Sequence, residues 1–134
     1  MRARRLAMAT LAAVALAQTT RSVWDGVYTE DQAKRGAAVY AKECAACHGA
    51  DLNGGESAPA LVGGGFLSNW NTLTVGDLFE RIRLSMPQDN PGRLSRQQDA
   101  DVLALMLQAN EFPAGKTELD KQTEVLKLIG FKKK

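Results

Sequence analysis

The chain has 134 residues, a length typical of one small domain, and 45% of them are hydrophobic, as in ordinary globular proteins. Its formal charge is +2, but three of the basic residues, Arg2, Arg4 and Arg5, lie at the very start. Without them the chain has 14 basic and 15 acidic side chains, a net charge of −1, which excludes the strongly basic footprint of a nucleic-acid-binding protein.

Residues 1–17 have the pattern of a secretory signal peptide. The basic positions precede an uncharged apolar run, Leu6 to Ala17, and the run ends in Ala-Leu-Ala, which matches a small-x-small cleavage site. A membrane anchor is the alternative, but the run is short for a bilayer span. We therefore expect cleavage near Gln18, a periplasmic mature protein, and no stable membrane insertion after cleavage.

The mature chain is predicted to begin with a flexible lead-in, residues 18–28, before a domain at residues 29–134. Thr29 and Gln32 have the spacing of a capping box, and small and apolar residues follow at helical intervals. This pattern predicts a first helix from about Glu30 to Cys44. Gly36 in its interior costs about 1 kcal/mol relative to alanine, which indicates the close approach of another helix.

A glycine-rich segment, residues 49–73, follows and is predicted to be a long loop. A loop of this length in a compact domain usually wraps around something. Thr74 is then predicted to cap a second helix. That helix should end before Ser85-Met86-Pro87, because the proline disfavours helical backbone at the preceding residue.

A second capping box, Ser95 to Gln98, predicts a helix over Arg96–Ala109. This helix is apolar on nearly every side and should be buried centrally. A short last helix is expected around residues 121–129, within a C-terminal extension that begins near residue 114. No alternating strand pattern occurs, so the sequence predicts an all-α domain.

Cys44, Cys47 and His48 form the pattern Cys-x-x-Cys-His, the attachment signature of c-type haem. The two thiols form thioethers with the haem vinyl groups, and the histidine binds the iron. A redox dithiol, a structural disulfide and a zinc site are the alternatives. Zinc needs four ligands, and thioredoxin-like dithiols lie in a βαβ unit that the sequence does not predict. The sequence therefore predicts one covalent haem c with its iron.

The second axial ligand follows by elimination. His48 is the only histidine, and Met1 and Met8 belong to the predicted signal, which leaves Met86 and Met106. Met106 lies in the apolar helix and is predicted to be core. Met86 lies just past a helix end, where a side chain can be aimed at a fixed point. We predict Met86 as the ligand opposite His48, a common haem arrangement, with core packing as its alternative.

These motifs, with two flanking amphipathic helices, resemble the class I cytochromes c over residues 29–110. The resemblance implies three main helices and a glycine-rich loop wrapped around one covalent haem. It implies that the first helix crosses the last at Gly36 and Tyr40. It also implies that the carbonyl of Pro59 accepts a hydrogen bond from His48 and so fixes the imidazole ring. An ordinary loop proline is the alternative.

Two further side chains could serve the haem propionates. Trp70 could donate its indole N–H to a propionate, with packing in the core as the alternative. Arg83 could pair with a propionate, with a solvated charge on a helix surface as the alternative.

A second resemblance concerns Trp70, residues 73–79, 91–95 and 110–115, which are similar to cytochromes associated with pyrroloquinoline-quinone-dependent dehydrogenases. It implies a quinoprotein dehydrogenase as electron donor, with a terminal oxidase or another cytochrome as acceptor.

Two axial protein ligands leave the iron no open position, so the sequence predicts an electron carrier and not an enzyme. The alternatives are a five-coordinate haem protein that binds a small ligand, which requires Met86 not to bind iron, and a dedicated dehydrogenase subunit.

Overall fold

The computed structural model describes residue 10 and residues 19–134, so almost all of the predicted signal peptide lies outside the described residues. The elements in chain order are β1 (Arg21–Ser22), α1 (Glu30–Glu43), α2 (Ala45–His48), α3 (Gly64–Trp70), α4 (Val75–Ser85), α5 (Arg96–Ala109), α6 (Thr123–Leu126) and β2 (Ile129–Gly130). Within the part of the chain that the structure describes, none of the helices has the length and apolar character to cross a bilayer.

The crossing of α1 and α5 forms the centre of the domain. A Cβ atom on Gly36 would lie 1.9 Å from the carbonyl oxygen of Asp101, so the two backbones can approach this closely only because residue 36 is glycine. Ala33 on α1 and Leu103 on α5 are fully buried beside this crossing. The predicted close approach at Gly36 is therefore confirmed.

Side-chain caps begin the three long helices, as predicted. Thr29 accepts a hydrogen bond from the backbone N–H of Gln32, but the predicted reciprocal bond is absent because the side chain of Gln32 binds the backbone of Leu119 instead. Reciprocal capping boxes form between Thr74 and Asp77 at the start of α4, and between Ser95 and Gln98 at the start of α5. Because each cap satisfies N–H groups that a helix leaves unpaired at its first turn, these short sequence signals fix where each helix starts.

Residues 19–28 correct the prediction of an unstructured lead-in. β1 pairs in parallel with β2, and Val23 is fully buried. The hydroxyl of Tyr28 donates to the carbonyl of Phe112 at 2.6 Å. The segment is packed because its few apolar residues lie against the end of the chain, a long-range contact that no local pattern reveals.

The segment 49–73 is also more ordered than predicted, because it contains α3 over Gly64–Trp70. The glycines at the start of α3 have low helix propensity, so the sequence pattern did not predict this helix. Phe66 is buried, and its packing against the core compensates for that weak propensity. The prediction of a continuous loop was therefore wrong over this stretch.

The C-terminal extension packs back onto the domain and closes the core. Its helix α6 is shorter than the predicted 121–129, because it covers only Thr123–Leu126 before the chain enters β2. Four apolar side chains of the extension are buried: Leu119, Leu126, Ile129 and Phe131.

Candidate functional site

The residues of the Cys-x-x-Cys-His motif occupy one tight turn at the end of α1. Cys44 follows the last residue of α1, and its N–H donates to the carbonyl of Tyr40 at 2.9 Å. The N–H of His48 donates to the carbonyl of Cys44 at 3.0 Å, which closes α2. Cys47 is exposed, Cys44 is half-buried and His48 is 8% exposed. One thiol is therefore accessible while the imidazole is held inside.

The surroundings of Cys44 disfavour the redox-dithiol alternative. Burial, and then the nearby charges of Glu43 and Asp99, raise the pKa of the Cys44 thiol to about 11. Redox-active dithiols depend instead on a thiol whose pKa is lowered. Among the described residues, moreover, no cluster of three or more His, Cys, Asp or Glu side chains is placed to hold a metal ion such as zinc.

The ring of His48 is fixed by Pro59. Its Nδ1 lies 2.8 Å from the carbonyl oxygen of Pro59, so the contact that the resemblance implied is present. A carbonyl can only accept a hydrogen bond, so Nδ1 carries the proton, and in the neutral ring the lone pair is on Nε2. Iron binds to such a lone pair. The residues therefore fit a haem iron at Nε2 of His48.

The loop after the motif folds back to bring Pro59 to His48. The hydroxyl of Tyr40 donates to the carbonyl of Gly49 at 2.6 Å, and the N–H of Gly54 donates to the carbonyl of His48 at 2.7 Å. Gly54 has φ +81°, and a Cβ atom there would lie 2.8 Å from the carbonyl carbon of Pro59. The glycine therefore permits both the left-handed backbone and the close return of the loop.

Met86 caps the C-terminal end of α4 and is half-buried against the core. Its carbonyl accepts from the N–H of Gly92 at 3.3 Å, which closes the loop that follows it. The next residue, Arg93, binds Glu43 with its Nε 2.9 Å from the carboxylate. Since Glu43 immediately precedes Cys44, this ion pair ties the Met86 loop to the attachment turn.

The other three residues that the sequence analysis singled out, Met106, Trp70 and Arg83, make packing or ion-pair contacts within the protein. Met106 is 2% exposed and lies in the core, as predicted. Trp70 is packed against the core beside Phe131, with ring centroids 6.4 Å apart, which favours the packing alternative. Arg83 forms an ion pair with Glu80 at 2.7 Å.

Sequence reasoning missed the importance of Asp99 and Asn110, which lie near the two ends of α5. The amide of Asn110 binds the backbone at Leu61 and Gly63. Asp99 is 1% exposed, and neither carboxylate oxygen has a hydrogen-bond partner. An acidic residue one turn before Leu103, on the face of a helix predicted to be buried, was the available signal.

Comparisons with known proteins agree with this arrangement. The family model described as cytochrome c oxidase, cbb3-type, subunit III matches residues 31–106. The matched residues are more than half of the chain and include the motif and Met86. No curated protein matches the sequence. In structure, the chain is similar to one in the crystal structure of the sulfane dehydrogenase SoxCD from Paracoccus pantotrophus, with 24% identity and a TM-score of 0.55.

That match covers 81% of this chain and 61% of the other, so this chain spans less than two thirds of the SoxCD chain, and the likeness concerns the fold. Together with the helices described above, it confirms the predicted all-α class I cytochrome c fold. The family also confirms the predicted cofactor, covalently bound haem c with its iron. The chain belongs to the family of c-type cytochrome domains represented by subunit III of the cbb3-type cytochrome c oxidases.

Proposed function

We propose that this protein is a periplasmic electron carrier whose haem is attached to Cys44 and Cys47, with His48 and Met86 as the axial ligands. Bound haem c supplies an iron centre that alternates between ferric and ferrous states. The observation that carries the proposal is the 2.8 Å contact between His48 Nδ1 and the carbonyl of Pro59. It leaves Nε2 as the ring nitrogen with a free lone pair, in a turn that also holds both cysteines.

The hydrogen bond to Pro59 orients His48 and tunes it as a ligand. A ligating histidine usually donates its other ring N–H to a carbonyl or carboxylate, which fixes the tautomer and makes the coordinating nitrogen more basic. Because His48 is almost fully buried, water does not compete for Nδ1. The bond would therefore hold the ring in one orientation when haem is bound.

Met86 fits the role of second ligand by its position and its chemistry. Its backbone is fixed by α4 on one side and by the bond from Gly92 on the other, so its side chain starts from a defined point. A thioether ligand favours reduced iron and raises the reduction potential. With His48 and Met86 both holding the iron, no open position would remain for a substrate, which favours a carrier over an enzyme.

The electron donor we propose is a dehydrogenase of the quinoprotein class, and the acceptor a terminal oxidase or another cytochrome. The support is the similarity of Trp70 and of residues 73–79, 91–95 and 110–115 to cytochromes associated with such dehydrogenases. Docking to both partners should be brief, since redox encounters bury little surface.

Two methionine variants test the axial ligand. Met86→Ala should lose the weak sulfur-to-iron charge-transfer band in the far red, lower the reduction potential and allow the ferrous protein to bind carbon monoxide. Met106→Ala is the matched control: it truncates a core side chain, so it should cost about 2–5 kcal/mol of stability and keep the band. If Met106→Ala alone loses the band, the ligand is Met106. If neither variant changes the spectrum, no methionine binds the iron and the five-coordinate alternative is favoured, which rapid carbon monoxide binding by the wild-type protein would then establish.

A further inference from the structure

Asn110 joins the end of α5 to the loop that carries Pro59. The residue is 9% exposed, and its Nδ2 donates to the carbonyls of Leu61 at 2.9 Å and Met106 at 2.8 Å. Its Oδ1 accepts from the N–H of Gly63 at 3.1 Å. Both ends of this buried amide are therefore satisfied, and two of its three bonds go to the loop.

The loop segment 59–63 is held from two sides. On one side the N–H of Leu61 donates to the carbonyl of Leu52 at 2.8 Å. On the other, Asn110 binds the carbonyl of Leu61 and the N–H of Gly63. Pro59 lies only two residues before Leu61, so the position of its carbonyl depends on these anchors. Asn110 is the anchor that comes from another element of the fold.

We propose that Asn110 is a positioning residue for the iron ligand: it holds segment 59–63 so that the carbonyl of Pro59 stays on Nδ1 of His48. Through this bond it sets the tautomer and the basicity of the imidazole, and so the reduction potential. The proposal rests on the proposed function, because it takes His48 as the ligand that binds iron.

Replacing the amide should loosen the bond at His48. In Asn110→Ala, the carbonyl of Leu61 and the N–H of Gly63 lose their partner, while Met106 keeps its bond from the backbone N–H of residue 110. The loop then moves, and the bond between His48 and Pro59 weakens. We expect hydrogen exchange at Nδ1–H to become about tenfold faster, as measured by NMR on the reduced holoprotein. The reduction potential should rise, because a less basic imidazole stabilises ferric iron less well.

Gln32 offers a matched control. It is a fully buried amide on α1 whose Nε2 donates to the carbonyl of Leu119 at 3.2 Å, and whose Oε1 accepts from the N–H of the same residue at 2.7 Å. It thus ties down a distant backbone segment as Asn110 does, but in the C-terminal extension. Gln32→Ala should lower the stability to unfolding and leave both the Nδ1–H exchange and the reduction potential unchanged.

A second variant covers the case in which Asn110→Ala does not fold. Asn110→Leu keeps the size and the neutral charge but can neither donate to Leu61 nor accept from Gly63, so it should change exchange and potential in the same direction. The proposal is overturned if the folded Asn110 variants lose stability as Gln32→Ala does while both His48 readouts stay at wild-type values. Failure of the proposed function looks different: the denatured wild-type protein would not stain for haem, or Met86→Ala would leave the spectrum unchanged.

Discussion

Each end of α5 has a buried polar side chain, but only the one at the C-terminal end forms hydrogen bonds. At its C-terminal end, Asn110 uses both its donor and its acceptor on backbone groups. In its first turn, Asp99 is 1% exposed, and neither of its carboxylate oxygens has a hydrogen-bond partner. A buried polar group stabilises a fold only when it has hydrogen-bond partners. Asn110 therefore positions the haem-site loop, whereas Asp99 destabilises the folded protein.

The cations around Asp99 are engaged elsewhere. Arg83 pairs with Glu80 at 2.7 Å, and Arg96 donates to the carbonyl of Lys121 at 3.1 Å. Burial therefore raises the pKa of Asp99 to about 7, an effect that the charges of Arg83 and Arg96 oppose only in part and that Glu80 reinforces. Near neutral pH the side chain is poised between its charged and neutral forms.

The largest effect is expected from Gly36→Ala, which breaks the helix crossing near the Asp99 end. Helix propensity alone predicts a gain of about 1 kcal/mol. The added Cβ would instead lie 1.9 Å from the carbonyl oxygen of Asp101, a contact with rigid backbone, so we expect a loss above about 4 kcal/mol. Urea unfolding of the holoprotein measures it. Ala37→Gly, at the exposed neighbouring position, should cost only about 1 kcal/mol, and a stabilised Gly36→Ala protein would contradict the packing argument.

The second effect is a gain of stability from Asp99→Asn, which removes the unpaired charge. With the pKa of Asp99 near 7 when folded and near 4 when unfolded, the folded protein holds a proton that the unfolded chain has released. The free energy of unfolding should therefore fall as the pH rises from about 4 to 7 and level off above that. The variant should lack this decline and be more stable than wild type at pH 8 by about 2–4 kcal/mol.

Asp101→Asn is the control for the predicted gain in stability of Asp99→Asn. Asp101 lies on the same helix but is paired with Arg35 at 3.2 Å, so its substitution should destabilise the protein by about 1 kcal/mol, since Arg35 is largely exposed. Thermal unfolding between pH 4 and 8 compares the three proteins. Equal pH dependence of wild type and Asp99→Asn would show that another group causes the decline.

How much the sequence could predict follows from the range of each interaction. Periodicity and capping boxes are local, so α1, α4 and α5 were predicted nearly to the residue, as was the contiguous attachment motif. The contact of Pro59 with His48 joins residues eleven positions apart in the sequence, and it was predicted only through the resemblance. The bond of Tyr28 to Phe112 spans 84 residues, and those of Asn110 reach back 49 and 47. No local pattern encodes such distant partners.

The smallest effect is expected from Ser95→Ala, which weakens the start of α5 without touching a titrating group. The hydroxyl of Ser95 accepts from the N–H of Gln98 at 3.1 Å, and the side chain of Gln98 returns a bond to the N–H of Ser95 at 2.9 Å. Losing the first of these bonds should cost about 1 kcal/mol. Both residues are exposed and neutral, so the loss should be the same at pH 4 and pH 8, unlike the effect of Asp99→Asn. A loss that grew with pH would mean that fraying of the first turn changes the burial of Asp99, and the two ends of α5 would then differ in rigidity as well as in hydrogen bonding.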